Sequence, residues 1–302
     1  MMALLLAAAT AGLPPGPVDF KAQDMRIEPK DHRVFLDGDV HLTRGDLNVT
    51  GDHAVADYKK AGAPKKAVKH KAGPSTSVGG EAVDHFTVDG RVHVERGART
   101  ADGDRGVLDV PAQTLVLTGT PELPPVLRDG SETLSGDRIL LRLDSEDVEV
   151  VRPRLTLRRS LPAEGTPAGK PGTRVVVEAA RLQLLKERHL AEFRDEVVVR
   201  RGDAVVKSPR MDARYDQDGQ LTRLEMRGGV DLRQGDRRAT GKNADYDALK
   251  KTMVLTGDPK LYDRGDVLTG DRIDLALETK EVRVEKAKGR LHPEAHQEEG
   301  QR

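Results

Sequence analysis

An internal repeat constrains this chain more than any other feature of its sequence. It is plainest in VLTGDPKLYDRGDVLTGD (254–271), where the pentapeptide VLTGD recurs after thirteen positions. Around Gly257, the apolar residues Met253, Leu255 and Leu261 alternate with other residues. Strict alternation of this kind is typical of a strand with one buried face. The repeat therefore predicts β-structure, with the glycine at a point where the strand bends or its backbone approaches a neighbour.

The same alternation surrounds four other glycines and, in a weaker copy, Asp195. In each copy the apolar side chains stand two and four residues before and after this first anchor residue, so they share one face of the strand. These residues are Val34, Leu36, Val40 and Leu42 around Gly38; Phe86, Val88, Val92 and Val94 around Gly90; Leu115, Leu117, Pro121 and Leu123 around Gly119; Leu224, Met226, Val230 and Leu232 around Gly228; and Ala191, Phe193, Val197 and Val199 around Asp195.

A second anchor residue follows each first anchor by thirteen positions, or by seventeen after Gly119. Apolar residues recur three, five and seven positions beyond it: Ala54, Ala56 and Tyr58; Ile139, Leu141 and Leu143; Met211, Ala213 and Tyr215; Ala244, Tyr246 and Ala248; Ile273, Leu275 and Leu277. Between the anchors lies a turn glycine, within RGD at 44–46, 201–203 and 264–266. Since Arg-Gly-Asp makes a good exposed turn, each RGD is predicted to be a hairpin turn and not an adhesion motif.

Stacking of the repeats predicts the architecture. The full period is 29 residues, and seven copies fit the chain once insertions at 59–80 and 160–173 are set aside. A single two-strand copy cannot bury its apolar face, whereas stacked copies can. We therefore expect an all-β fold: an elongated β-jellyroll, or solenoid-like open sandwich, of about sixteen antiparallel strands over residues 20–290. Its end strands would offer unpaired backbone to another chain.

Composition excludes several classes of function. Without cysteine, the chain has no disulfides and no thiolate zinc site. Acidic and basic residues number 50 each, so no net basic field attracts nucleic acid. Aspartates such as Asp52, Asp104, Asp137 and Asp271 recur with the turns instead of forming one catalytic cluster, and the nine histidines lack metal-ligand spacing. We predict that the chain is not an enzyme and has no cofactor or metal.

The termini and the basic insertion are predicted to lie outside the repeat domain. Residues 1–19 contain a short apolar run and the tripeptide ATA, which is typical of a signal peptide followed by a linker. Residues 291–302 are predicted to be a disordered tail. The lysine-rich insertion at 59–80 is either a solvated hairpin or a surface for anionic head groups.

Three segments resemble the OstA-like, or LptA-type, family of periplasmic lipopolysaccharide-transport proteins: FLDGDVHLTRGDLNVTGDHAVADY (35–58), MRGGVDLRQGDRRATGKNADY (226–246) and MVLTGDPKLYDRGDVLTGDRIDLAL (253–277). The resemblance covers about residues 20–290. It implies a β-jellyroll in the periplasm whose apolar interior holds the acyl chains of lipid A. It also implies edge-strand pairing with other jellyrolls of a bridge between an inner-membrane ABC transporter and an outer-membrane translocon.

The resemblance assigns the inward residues a role in binding lipopolysaccharide. The candidate lipid-binding residues are Val34, Leu36, Val40, Leu42, Tyr58, Phe86, Val88, Val92, Leu115, Leu117, Ile139, Leu141, Leu143, Met211, Tyr215, Leu224, Met226, Val230, Leu232, Tyr246, Met253, Leu255, Leu261, Ile273, Leu275 and Leu277. The alternation itself leaves a second interpretation open, because the same residues would pack against one another in a dry core. Two alternative functions therefore remain: an LptC-type partner associated with the inner membrane, and a structural β-repeat scaffold that binds no lipid.

Overall fold

The structure, a computed structural model, describes residues 18–59, 82–158, 174–276, 279 and 281–290. Within these residues every regular element is a β-strand, and the strands pair in antiparallel fashion. The all-β prediction is confirmed. The predicted signal peptide, the tail and most of both insertions lie outside the described residues, and the boundaries of the repeat domain stay a prediction.

The chain forms two compact units, which we call the N-terminal unit, within residues 8–151, and the C-terminal unit, within residues 152–302. The strands of the N-terminal unit are β1 (Asp19–Lys21), β2 (Asp24–Glu28), β3 (Arg33–Arg44), β4 (Leu47–Lys59), β5 (Ala82–Arg96), β6 (Arg99–Asp109), β7 (Thr114–Thr118), β8 (Val126–Asp129), β9 (Glu132–Ser135), β10 (Arg138–Arg142) and β11 (Val148–Val151). Those of the C-terminal unit are β12 (Arg154–Arg158), β13 (Arg174–Glu178), β14 (Arg181–Leu185), β15 (Leu190–Arg201), β16 (Ala204–Tyr215), β17 (Leu221–Gln234), β18 (Arg237–Asp247), β19 (Thr252–Thr256), β20 (Lys260–Asp263), β21 (Asp266–Thr269), β22 (Arg272–Ala276), β23 (Val282–Glu285) and β24 (Lys288–Arg290).

The described residues form 24 strands where about sixteen are predicted. The difference arises because several of the predicted strands are interrupted, as where residues 119–125 separate β7 from β8. The others, β3 to β6 and β15 to β18, run without a break. The repeat therefore predicts where the chain runs as β-structure, but not how many separate strands it forms.

Two predicted inward positions, Pro121 and Leu123, are wrong. Both residues are exposed, Leu123 to 69%, because residues 119–125 form a loop instead of continuing the strand. Pro121, Pro124 and Pro125 lie in this loop, and proline cannot donate a hydrogen bond to a ladder. The alternation restarts in β8, where Leu127 is 5% exposed and takes the core position.

The long strands bend near their predicted anchors, for two different reasons. In β5, Gly90 and Arg91 adopt left-handed φ angles of 79° and 46°, and the register with β6 shifts at this point. Such a bulge inserts an extra residue and sharpens the local bend. At the second anchor, a Cβ on Gly103 would lie 2.9 Å from the carbonyl oxygen of Thr118. Positive φ thus explains Gly90, and close approach of a neighbouring backbone explains Gly103.

The predicted RGD turns are confirmed. Gly45 connects β3 to β4 with a φ of 61°, Gly202 connects β15 to β16 with a φ of 58°, and Gly265 connects β20 to β21 with a φ of 93°. Glycine adopts these left-handed angles without the cost that a Cβ would impose. Four of the six flanking arginine and aspartate residues are exposed, as is usual in turns, whereas Asp266 is buried.

The bends divide each unit into two facing layers. In the N-terminal unit, layer A comprises β2, β7, β10, β11 and residues 33–37, 53–59, 82–89 and 105–109, and layer B comprises β1, β8, β9 and residues 40–44, 47–50, 92–96 and 99–103. The inward side chains of both layers are buried, so the layers pack face to face. We call the side where the strands bend the hinge. The opposite side, where the strand ends of both layers lie, is the mouth.

The C-terminal unit repeats the strand pairing of the N-terminal unit. Phe20 pairs with Leu42 as Val177 pairs with Val199, and Val94 pairs with Ala101 as Leu232 pairs with Ala239. Further along the chain, β8 pairs with β9 through Leu127 and Leu134, as β20 pairs with β21 through Leu261 and Leu268. These equivalent ladders therefore have the same register in both units.

Candidate functional site

The predicted lipid-binding residues line the interior of the two units. Every one that the structure describes is buried, except Leu141, Tyr215, Leu224, Leu232 and Tyr246, which are half-buried. Leu277 lies outside the described residues. The inward placement that the alternation predicts is therefore confirmed for the described positions, while contact with lipid stays a prediction.

In the N-terminal unit, the interior is closed. We call the row of cross-strand neighbours on the mouth side of layer B the inner row: Leu42, Val49, Val94, Ala101, Leu127 and Leu134. Its members are between 0% and 5% exposed. The facing side chains of layer A, such as Phe86 and Leu115, are buried to the same degree. This interior has the burial of an ordinary packed core.

In the C-terminal unit, the equivalent interior is partly open. Its inner row consists of Val199, Val206, Leu232, Ala239, Leu261 and Leu268. Only Ala239 and Leu261 are buried, and the other four side chains are half-buried. In the opposite layer, Leu224 and Tyr246 are also half-buried although they point inward. Apolar surface in both layers is therefore left uncovered along this interior.

Charged residues line the inside of the mouth in the N-terminal unit. The alternation that turns Val92 and Val94 inward continues to Arg96, and across the turn to Arg99. The exposed fractions of the Arg96 and Arg99 side chains are only 13% and 18%. The repeat frame stops at Val94, so these arginines were not among the predicted interior residues. Continuing the same alternation to the next inward position, two residues beyond Val94, predicts Arg96 and its cross-strand partner Arg99.

Glu132 belongs to the same rim and has an unusual titration. Its side chain is buried, with a residue exposure of 6%. Burial raises the pKa of its carboxyl to about 7, and the nearby Asp129 carboxylate contributes to the rise. In the C-terminal unit, Asp266 takes the equivalent position, also 6% exposed, and Arg237 contacts Asp263 at 2.6 Å as Arg99 contacts Asp129 at 3.2 Å.

The first strand pair of the N-terminal unit leaves apolar side chains uncovered. Met25 and Ile27 on β2 pair with Leu36 and Val34 of β3, and so continue the inward rows of layer A. Their residues are nevertheless 52% and 37% exposed. An exposed apolar edge of this kind is suited to cover by a further strand.

The outer face of the C-terminal unit carries an open groove of about 970 Å³. Its lining includes Lys207, Asp231, Arg238, Lys260 and Tyr262, which alternate with the inward residues of the same strands. Arg238 and Asp231 form an ion pair across it at 2.9 Å. The lining also contains Val197, Val198 and Pro209, so the groove combines charged and apolar surface.

The described residues contain neither a metal-binding cluster nor a membrane-spanning helix. No group of three or more His, Cys, Asp or Glu side chains is placed to hold a metal ion. No helix among them has the length and apolar character needed to cross a membrane.

Comparison with known proteins identifies the family. The family described as LptA/(LptD N-terminal domain) LPS transport protein matches residues 19–147 and 176–281. The chain belongs to this family. The two matched segments fall one in each unit.

Individual relatives of the LptA/LptD N-terminal family match shorter stretches. The LPS-assembly protein LptD of Pseudomonas syringae pv. syringae is 36% identical over 80 residues, 26% of this chain and 8% of that protein. The chain thus matches only a small part of the curated LptD relatives. The uncharacterized protein R00383 of Rhizobium meliloti is 21% identical over 134 residues, 44% of this chain and 64% of that protein.

A solved structure also matches part of the chain. The crystal structure of LptH, the LptA homologous periplasmic component of the lipopolysaccharide transport device of Pseudomonas aeruginosa, matches 52% of this chain and 91% of that chain. The sequence identity is 16% and the TM-score is 0.35.

Proposed function

We propose that the chain is a periplasmic component of lipopolysaccharide transport that shields lipid acyl chains inside its β-units. The observation that carries the proposal is the uncovered apolar interior of the C-terminal unit, where Val199, Val206 and Leu232 face Leu224 and Tyr246 and all five are half-buried. A folded protein does not leave such surface wet without a cost of roughly 25 cal/mol per Å². Membership of a transport family agrees with an apolar ligand at this place.

The mechanism requires binding only. Each methylene group that enters the interior contributes about 0.8 kcal/mol, so one acyl chain supplies several kcal/mol without any directed bond. The sugar-phosphate head stays in water at the mouth, where charged side chains replace apolar ones. Because apolar contacts are non-directional, a chain can shift along the interior with little change in affinity.

Edge-strand pairing supplies the partners in this proposal. The exposed Met25 and Ile27 of β2 would be covered by a strand from another jellyroll of the bridge, which also completes the backbone hydrogen bonds of the edge. Successive jellyrolls would then connect the inner-membrane transporter to the outer-membrane translocon. An LptC-type role within the same system stays a prediction.

A dry scaffold is the second candidate function, and the N-terminal unit favours it. Its inner row is no more than 5% exposed and leaves no room for an acyl chain in the conformation described. If both units behaved in this way, the chain would be a structural spacer. The two candidates differ in whether lipid reaches the interior of the C-terminal unit.

Site-specific photo-crosslinking tests the proposal. A photoreactive residue is placed at Leu232 or Val206 inside the C-terminal unit, at Leu134 inside the N-terminal unit, and at the outward Arg91 as control. We expect lipopolysaccharide adducts from Leu232 and Val206, fewer from Leu134 and none from Arg91. Folded, normally expressed variants that give no adduct at any inward position would leave the dry scaffold as the function.

A further inference from the structure

The mouth of the N-terminal unit is held shut by two arginines of layer B that contact a turn of layer A. Arg99 donates from Nη1 to Oε2 of Glu146 at 3.1 Å and from Nε to Oδ2 of Asp129 at 3.2 Å. Arg96 donates from Nη1 to the carbonyl oxygen of Leu143 at 3.2 Å. Leu143 and Glu146 belong to the β10–β11 turn at the edge of layer A, so these bonds join the two layers.

These contacts are sheltered but lie within reach of water. The Arg96 and Arg99 side chains are 13% and 18% exposed, and that of Glu146 is 5% exposed. Bonds between a guanidinium and a carboxylate in such surroundings are screened less than surface pairs. Directly beneath them lie the buried Val94 and Ala101 of the inner row. An acyl chain that enters the N-terminal unit at this end must therefore displace the β10–β11 turn.

The turn itself is held in a conformation that favours release. Glu146 has a φ of 57°, a left-handed angle that costs a residue with a Cβ of the order of 1 kcal/mol. The contact with Arg99 offsets this cost. Once Arg99 binds another anion, the turn loses one of the interactions that keep Glu146 in place.

We propose that Arg96 and Arg99 form an anion-exchange latch: they hold the mouth shut through Leu143 and Glu146, and pass these bonds to a phosphate of an entering phosphorylated amphiphile. The inference rests on the proposed function and adds the chemical class of the head group that opens this unit. A guanidinium binds phosphate in the same forked geometry as carboxylate, so the exchange keeps the arginines satisfied. The acyl chains then occupy the space that the turn uncovers.

A distance measurement across the mouth tests the latch. The chain contains no cysteine, so Ala98→Cys in the exposed β5–β6 turn and Asp144→Cys in the exposed β10–β11 turn provide two unique spin-label positions. The distance between the labels is measured without lipid, with lipid A that carries both phosphates, and with the same lipid A after removal of its phosphates. Binding of each lipid is measured separately by native mass spectrometry.

We expect the phosphorylated lipid to lengthen the distance, and the dephosphorylated lipid to bind without lengthening it. Equal lengthening by both lipids, or binding of both without any lengthening, overturns the latch and leaves the proposed function standing. Failure of both lipids to bind overturns the proposed function and the latch together.

Matched variants distinguish the loss of phosphate binding by Arg99 from a general loosening of the unit. Arg99→Gln is expected to weaken binding of phosphorylated lipid A about tenfold, while binding of the dephosphorylated lipid changes less than about twofold. Glu146→Gln is expected to lengthen the label distance without any lipid. The control is Glu149→Gln, which breaks an outward pair with Arg142 at 2.5 Å near the same turn and should change none of these quantities. Equal losses for both lipids in Arg99→Gln overturn the exchange.

Discussion

The two units place the same set of side chains in equivalent inner rows but bury them differently. Each row contains three leucines, two valines and one alanine. The N-terminal row is no more than 5% exposed, whereas four of the six side chains in the C-terminal row are half-buried. Side-chain volume therefore does not decide whether an interior is closed. In the N-terminal unit, Arg96 and Arg99 bond to the β10–β11 turn above the row. Most of the equivalent turn of the C-terminal unit lies outside the described residues.

The largest expected difference between the units concerns a matched pair of leucines. Leu134→Ala should lower the free energy of unfolding of the N-terminal unit by about 3 kcal/mol, because it leaves a cavity in a closed core. Leu268→Ala, at the equivalent position, should cost about 1 kcal/mol, because Leu268 is only half-buried and its removal exposes less new apolar surface. Urea denaturation measures both. Equal losses would show that the two interiors are packed alike.

The second anchors should respond alike in both units. A Cβ at Gly103 would lie 2.9 Å from the Thr118 oxygen, and one at Gly241 would lie 3.1 Å from the Thr256 oxygen. We expect each alanine substitution to cost about 2 kcal/mol in thermal or urea unfolding, because a backbone oxygen cannot move aside. Gly97→Ala is the control. A Cβ at this position meets no atom within 4 Å, so only the φ of 61° should cost stability, about 1 kcal/mol. If the losses for Gly103→Ala and Gly241→Ala differ by more than the loss measured for Gly97→Ala, the two units are not equivalent at the hinge.

Glu132 predicts a pH dependence of the stability of the N-terminal unit. Its pKa is raised to about 7 in the folded protein, above the value of an unfolded glutamate, so the folded state holds its proton more tightly. Stability should therefore fall as the pH rises from about 4.5 to about 7, and stay lower above that. Glu132→Gln should raise the free energy of unfolding at pH 8 by about 2 kcal/mol and have little effect at pH 4.5. Glu122→Gln in the exposed β7–β8 loop should have no effect at either pH, and a gain at pH 4.5 in Glu132→Gln would contradict the assignment.

The smallest expected effect comes from a partly exposed pair on the outside of the N-terminal unit. The Asp102 carboxylate, 2.6 Å from Nδ1 of His93, raises the pKa of the imidazole, with a further contribution from Glu95. This stabilisation is complete below the pKa of an unfolded histidine and disappears as the pH rises through the raised value. His93→Asn should cost about 0.5 kcal/mol at pH 6 and nothing at pH 9, since exposed pairs are weakened by water. In the C-terminal unit, Asp231 occupies the equivalent position, and Asp231→Asn should show no such change between pH 6 and pH 9.

The sequence predicts the fold well because alternation determines which side chains point inward. Leu36, Val40 and Met226 are buried as the pattern requires, and the RGD turns form where the glycines allow them. The pattern fails at Leu123, where prolines break the ladder before the next repeat position. The pattern also does not show the division into two units, because the 29-residue repeat runs through both and hides the longer repeat of a whole unit.

The candidate site is harder to predict than the fold. Alternation assigns Val94 and Leu232 the same inward role, yet one is buried and the other half-buried. Alternation says nothing about contacts between residues distant in sequence, such as Arg99 with Glu146 above the N-terminal row. The inward arginines were missed because a charged residue at the end of a strand is normally solvated, and only the parity of the strand places Arg96 and Arg99 inside the mouth.

The equivalent connection that differs most in length between the units is 60–81 between β4 and β5, against only 216–220 between β16 and β17. Length added within a strand would turn its apolar side chains to solvent, whereas the entropy of closing a connection rises only slowly with its length. The β4–β5 connection is therefore the natural place to insert a fluorescent protein or an affinity tag.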